Sequence, residues 1–175
     1  SGEEPHRQVE RAAAQIADEA IGMKNIEEAV AVRDRILTNF ERASTLPAGP
    51  ERDRLLTFVV VGGGFIGLEM TENLMQAGLA VDLVERLDQV MAPLDYDMAC
   101  TLHGYLRKKG VGLYLSTAVA GFEEAPGGLR TLLEGGSALD SDLVLLASGV
   151  SPDTRLAADA GLELGARGSI KVTDR

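Results

Sequence analysis

The sequence predicts an α/β fold: a parallel sheet with helical crossovers, a small antiparallel β-meander, and helices ahead of both. Three observations predict it. Between residues 58 and 115, short β-branched runs alternate with segments of helical spacing, a β-α-β-α-β series. From 119 to 147, short apolar runs are separated only by Pro126-Gly127-Gly128 and Gly135-Gly136-Ser137, connections that favour antiparallel neighbours. Residues 1–46 are instead rich in Ala, Glu and Arg, with Gly2 and Gly22 the only glycines and Pro5 the only proline.

In that first region, Asn25-Ile26-Glu27-Glu28 has the form of a capping box. Ile26, Ala29, Val30, Ile36, Leu37 and Phe40 then follow helical spacing, with Arg33 the one polar break, and predict a helix over 26–43. Residues 9–20 read as a second, weaker helix. Leu46-Pro47-Ala48-Gly49-Pro50 reads as a helix stop and connector. The chain therefore divides into a helical segment with its linker over 1–46 and an α/β domain over 47–175.

Phe58-Val59-Val60-Val61 reads as a buried parallel strand. Residues 65–77 carry Ile66, Met70 and Leu74 at helical spacing, and Gly78 stands where a left-handed C-cap belongs. Residues 80–84 form the next strand. Asp95 caps a helix with Met98, Leu102, Tyr105 and Leu106 on one face, closed by Lys108, Lys109 and Gly110. Residues 111–115 are a third strand, and the crossover rule makes the connections right-handed. Residues 119–124, 129–134 and 143–147 are short strands. Leu143 to Leu146 lacks alternation, so this run either closes the meander or returns to the parallel sheet.

The chemistry centres on Gly62-Gly63-Gly64-Phe65-Ile66-Gly67, a G-x-G-x-x-G between a strand and a helix with a second strand beyond, the Rossmann-like arrangement. Gly62 allows the tight turn, Gly64 lets backbone approach a pyrophosphate, and Gly67 lets helix and strand pack closely. Free N–H groups and the dipole at the helix start attract phosphates. Glu85 ends the second strand, where an acid accepts hydrogen bonds from the adenosine ribose. It repels a 2′-phosphate, which favours NAD(H) over NADP(H), while Arg86 beside it is the residue type that accommodates that phosphate. Glu69 in the first turns of the helix also suits the helix dipole.

Composition narrows the rest. The 175 residues are 45% hydrophobic and 25% charged, ordinary for one globular domain. The formal net charge of −10 offers no general footprint for nucleic acid or an anionic membrane. No apolar stretch approaches the ~20 residues that span a bilayer, and no basic-then-apolar leader opens the chain. A single cysteine, Cys100, excludes an internal disulfide, a four-thiolate zinc site and a CxxC pair, and fits a reducing cytoplasm. His103 is within reach of Cys100 along the helix, although an inert helix cysteine is the simpler reading. Metalloprotease, serine-hydrolase and Walker-type motifs are absent.

From Met23 onward the chain resembles the nicotinamide-nucleotide domain of the FAD-dependent pyridine nucleotide-disulfide oxidoreductases. The resemblance lies in residues 59–69, Val84-Glu85-Arg86, residues 90–95, and residues 147–153, where Ser148-Gly149-Val150-Ser151-Pro152 gives an x-G-x-x-P element. It is nearest the CoA-disulfide reductase and NADH oxidase branch. The resemblance implies that Glu69 lies beside the nicotinamide carboxamide, that Phe65 replaces a tyrosine gating the flavin face, and that Ser148, Gly149 and Val150 lie near the nicotinamide. Pro152-Asp153 stands where the family commonly has Pro-Asn. The family's FAD glycine motif, redox cysteine, Gly-Asp flavin motif and dimerisation domain are not matched. The resemblance therefore implies an excised NAD(P)-binding domain of a larger, homodimeric flavoenzyme, with FAD bound by domains outside this chain and no catalytic residue within it. The intact enzyme would pass hydride from NAD(P)H to FAD and reduce a disulfide, such as CoA disulfide, or oxygen. A stand-alone dinucleotide-binding sensor remains the alternative. A methyltransferase is disfavoured by the x-G-x-x-P element and the meander.

Overall fold

An apolar strand without alternation has to be covered on both faces. In the computed structural model, which describes residues 20–22, 26–149 and 152–173, Phe58 to Val61 is covered in this way. The elements are β1 (Ala20–Gly22), α1 (Ile26–Thr45), α2 (Pro50–Leu55), β2 (Thr57–Val61), α3 (Phe65–Gln76), β3 (Ala80–Val84), α4 (Tyr96–Lys108), β4 (Gly112–Tyr114), β5 (Val119–Ala125), β6 (Gly128–Leu133), β7 (Ala138–Ser141), β8 (Leu143–Leu146) and α5 (Arg155–Asp159). Among the described residues, five strands form a parallel sheet in the order β1-β8-β2-β3-β4, and β5-β6-β7 form an antiparallel one.

Successive β2 residues point to opposite faces. Phe58 and Val60 join Leu83, Leu143 and Leu145 in a core closed by Val32, Leu74 and Leu106 from the helices. Val59 and Val61 join Val84 and Val144 in a second core closed by Val119, Leu129 and Leu133 of the meander. The architecture is thus helices, parallel sheet and meander in three layers. Burying a Val or Leu side chain is worth ~1.5–3 kcal/mol, so these apolar runs hold the sheet from both sides.

The sheet, the crossovers and the glycine turns match the sequence expectation. Gly78 (φ +89) and Gly110 (φ +86) follow α3 and α4 in the left-handed region. Asp95 occupies the N-cap of α4 but makes no side-chain cap hydrogen bond.

Several expectations are corrected. The expected helix over 9–20 lies outside the described residues except at Ala20. There the chain is strand β1, whose parallel ladder to β8 pairs Ala20 with Val144 and overrides alanine's helical preference. Asn25 also lies outside them. α1 turns Val32, Asn39 and Ala43 inward and packs Ile36 and Phe40 of the predicted stripe against the core, while Ile26 and Leu37 of that stripe stay 79% and 56% exposed. The connector ends at Pro50, which starts α2 from the first helical turn, a position that needs no N–H. α4 buries Ala99, His103 and Leu106, while Met98 and Tyr105 face solvent. The third meander strand is β7, outside the expected strands, and β8 takes the second of the two places open to residues 143–146, in the parallel sheet between β1 and β2.

Candidate functional site

Three strands of the parallel sheet end at one cleft. β2 runs into Gly62, β3 into Glu85, and β8 into Ala147, Ser148 and Gly149. The cleft has a volume of about 800 Å³. It lies outside the carboxyl ends of the strands, where open α/β sheets bind ligands.

The glycine turn divides by what each missing side chain would meet. At Gly62 (φ +110), a Cβ would lie 2.5 Å from the Ala147 carbonyl oxygen. At Gly67, it would overlap the Gly62 carbonyl oxygen. At Gly63, it would press on Val90 Cγ1 at 3.0 Å and on the Glu85 carboxylate. These three glycines answer to the fold. Gly64 differs: a Cβ there meets nothing within 4 Å, and its backbone (φ −77°, ψ −170°) suits any residue. The first bond of α3 runs from Leu68 N–H to the Gly64 carbonyl at 3.0 Å. The N–H groups of Phe65, Ile66 and Gly67 therefore have no acceptor within the helix.

Glu85 is held by backbone. Gly63 N–H donates to Oε2 at 2.6 Å, and Leu87 N–H donates to Oε1 at 2.8 Å. Met91 N–H donates to the Gly63 carbonyl at 2.8 Å, so the segment after β3 is tied back onto the glycine turn. Arg86 is exposed on the cleft rim.

Gly62, Gly63, Gly64, Phe65, Glu85, Arg86, Ser148 and Gly149 line the cleft. Phe65 is 66% exposed at its mouth. Ile66, Gly67 and Glu69 do not line it. Ile66 is partly buried, Gly67 packs against the turn, and Glu69 is exposed on α3. Val150 lies outside the described residues. Asp153 accepts both Arg155 Nε at 2.9 Å and Nη2 at 2.8 Å, which holds its carboxyl down at about 2. The Cys100–His103 pairing is not formed. Cys100 is exposed beside Tyr96, whose phenol it pushes up, while His103 turns inward and accepts the Val90 N–H at 3.2 Å.

Sequence reasoning missed the far wall. Thr117, Ala118, Ala120 and Glu134 come from the meander side, and Leu87, Ala92 and Pro93 from the segment after β3. Only Ala92 and Pro93 carry a signal, as part of the resembling stretch 90–95; the others carry none, because the wall is assembled by the sheet packing rather than by a local motif.

A model of the family described as pyridine nucleotide-disulphide oxidoreductase matches residues 13–175. The chain is 35% identical over 118 residues to the nitrite reductase [NAD(P)H] large subunit of Klebsiella oxytoca, covering 67% of this chain and 12% of that one. It is 33% identical over 132 residues to the dihydrolipoyl dehydrogenase of Haloferax volcanii, covering 72% and 27%. Reduced Bacillus anthracis CoADR-RHD superposes with a TM-score of 0.72 at 35% identity, covering 91% of this chain and 26% of its own. The water-forming NADH oxidase of Lactobacillus brevis, solved with NADH, gives 0.68 at 25%, covering 90% and 31%. The chain spans under a third of the length of each of these relatives. A family match over nearly the whole chain, on a sheet whose strands end at a glycine turn and an acid, makes this chain a member of the pyridine nucleotide-disulphide oxidoreductase family.

Proposed function

We propose that residues 47–175 are the NAD(H)-binding domain of a flavin-dependent member of the family, and that the site residues are those inferred from the sequence. The observation that carries this is Gly64. Two neighbouring glycines are required by backbone overlap, yet Gly64 faces open cleft with an unstrained backbone. The fold does not ask for glycine there, and the missing side chain leaves open the space a pyrophosphate would occupy.

A dinucleotide fits these residues. Its pyrophosphate would lie over Gly64, facing the N–H groups at the start of α3 and the positive end of the helix dipole. Glu85, fixed by two backbone N–H groups, keeps lone pairs to accept from the adenosine ribose hydroxyls. The same carboxylate opposes a 2′-phosphate, which favours NAD(H) over NADP(H). Phe65, Glu69, Ser148, Gly149 and Val150 would face the nicotinamide end. When bound, the dinucleotide supplies a hydride of the kind a flavin accepts. FAD and the subunit contact of a homodimer would be provided by polypeptide outside these residues, and the final acceptor would be a disulfide or oxygen.

The test is calorimetric titration of the purified chain with NADH. Saturable one-to-one binding is expected, from a colourless preparation that does not oxidise NADH with CoA disulfide. Absence of binding, or a yellow preparation with a flavin spectrum, overturns the proposal.

A further inference from the structure

Behind the glycine turn, α4 buries a histidine. His103 is 4% exposed, and its Nε2 accepts the N–H of Val90 at 3.2 Å. An acceptor Nε2 carries no proton, so this ring is a neutral imidazole with its hydrogen on Nδ1.

Val90 is fully buried and sits directly on the glycine turn, with its Cγ1 3.0 Å from where a Gly63 Cβ would be. The next residue, Met91, has a positive φ of 51° and donates its N–H to the Gly63 carbonyl at 2.8 Å. Gly63 in turn donates to Glu85 Oε2, and Leu87 donates to Glu85 Oε1. The result is a continuous run of contacts from α4 through residues 87–91 to the turn and the acid. Val90 itself does not line the cleft. Its N–H is a buried donor that must be matched, and among the described residues His103 is the acceptor that matches it.

We infer that His103 is a positioning residue for the dinucleotide cleft: its neutral ring holds Val90, and through Val90 the glycine turn and Glu85, so that protonating the ring weakens dinucleotide binding. An imidazolium has N–H on both nitrogens. Nε2 would then point a proton at the Val90 N–H, two donors would oppose each other, and residues 87–91 would have to move. The site would lose the geometry of Gly63 and Glu85 together, because one segment fixes both.

The groups facing the ring decide when this happens. Burial disfavours the charged form, Arg107 one turn further along α4 repels it, and Asp88 after β3 favours it. The Tyr96 ring meets His103 edge-on with centroids 6.3 Å apart. Burial and Arg107 prevail, so the ring titrates below the ordinary histidine range. The sign follows. The cleft is ordered at neutral pH, and loosens as pH falls through that lowered value.

The inference rests on the dinucleotide site proposed above, and the experiment separates the two. NADH affinity of the full chain is measured between about pH 8 and about pH 4.5, well below the ordinary histidine value, for the wild type and for His103→Gln, whose Oε1 can accept the Val90 N–H but does not titrate. Wild-type affinity is expected to fall by about fivefold or more across the range, the lower end of ordinary site-to-site coupling. His103→Gln is expected to stay flat. His103→Leu, which offers no acceptor, is expected to bind weakly at every pH. Equal pH profiles for the wild type and His103→Gln overturn the inference. In parallel, the Val90 and Met91 amide resonances are followed in the ligand-free chain. They are expected to shift with a single acidic midpoint in the wild type that is missing from His103→Gln, and their failure to titrate also overturns it. If NADH does not bind at any pH while these amides do titrate, the dinucleotide proposal falls and the link from His103 to the turn stands.

Discussion

At the C-terminal edge of the parallel sheet, the groups that face Glu85 are backbone amides, whereas at the N-terminal edge the groups that face Asp142 are side chains. Glu85 accepts from Gly63 and Leu87 N–H groups and remains partly exposed. Asp142, fully buried where β7 meets β8, accepts from Asn39 Nδ2 at 2.7 Å and from Arg35 Nε at 2.6 Å through the same oxygen. Asn39 also donates to the Leu55 carbonyl at 2.9 Å, and Asp142 N–H donates to the Thr57 carbonyl at 3.0 Å. The lower edge thus joins α1, α2, β2 and β8 through buried and partly buried side chains. The upper edge spends few side chains and leaves amides and one carboxylate accessible. The proposed binding site and the most heavily side-chain-bonded part of the fold thus lie at opposite ends of the same strands.

The largest effect should come from breaking the lower edge. Asp142→Ala leaves the Arg35 guanidinium and the Asn39 amide without their acceptor in a buried setting. Removing one partner of a buried charge pair costs ~3–5 kcal/mol. Because Arg35 retains 31% side-chain exposure, about 3 kcal/mol is expected from urea unfolding, with NADH affinity of the folded protein within about twofold of wild type. A large affinity loss without loss of stability would show that the two edges are not separable.

The glycine turn sharpens the contrast within a few residues. Gly62→Ala meets both a positive φ of +110° and the Ala147 carbonyl, so it should destabilise by about 2 kcal/mol. Gly64→Val places its Cβ in open space on an unstrained backbone and should cost little in the fold. Placed where the pyrophosphate must approach, it should weaken NADH binding at least about tenfold, ~1.4 kcal/mol. A folded Gly64→Val chain with wild-type affinity would remove the basis for the proposed site.

Much of this division was legible in the sequence, and the reasons differ by edge. The upper edge depends on local order: a strand, a glycine turn and a helix are adjacent in sequence, so Gly62 to Gly67 could be read directly. Glu85 could be placed because it ends the next strand. The lower edge depends on residues 103 and 107 positions apart, Asn39 with Asp142 and Arg35 with Asp142. No periodicity reports such a pairing. The same limit explains the shifted face of α1, where Ile36 and Phe40 pack on the core but Asn39 is buried too: it is polar yet buried because of a partner far along the chain. It also explains His103, which broke the expected apolar stripe of α4 because its acceptor nitrogen serves Val90. β7 was missed because Ala138 to Ser141 carries almost no strand composition and forms by pairing with β6.

A smaller effect should separate Glu85 from Arg86. Glu85→Ala removes the ribose acceptor and the anchor of the Gly63 and Leu87 amides. A hydrogen bond to a charged group is worth ~1.5–3 kcal/mol, and rearrangement of the freed amides offsets part of that, so a loss of about fivefold in NADH affinity is expected. The loss for NADPH should be smaller, narrowing the preference. Parallel titrations with both nucleotides measure it. Tighter NADPH binding by the wild type, abolished in Arg86→Ala, would assign the recognition to Arg86 instead.

The smallest effect lies between the two edges, at Asp82 in the middle of β3. Its carboxyl is partly buried, and a Cβ on Gly112 across the β3–β4 ladder would overlap its Oδ1, so the missing side chain of Gly112 leaves the space it occupies. Among the described residues it has neither the amide donors of Glu85 nor the side-chain donors of Asp142. Burial accordingly pushes its pKa up from 3.8. A raised pKa on an acid means that the folded chain holds the proton more tightly than the unfolded chain. The ionised carboxylate therefore costs stability at neutral pH, and that cost fades as pH falls through the raised value and toward the unfolded one. Asp82→Asn keeps the shape and removes the charge. It should stabilise the chain at pH 7 by about 0.5 kcal/mol, the scale of substitutions away from tightly packed networks. The advantage should vanish in acid below about pH 3.8, where Asp82 is protonated in the folded and the unfolded chain alike. Urea midpoints for the two chains at both pH values measure this, and an asparagine variant no more stable than the wild type at pH 7 would mean that Asp82 has a compensating partner, as the acids at both edges do.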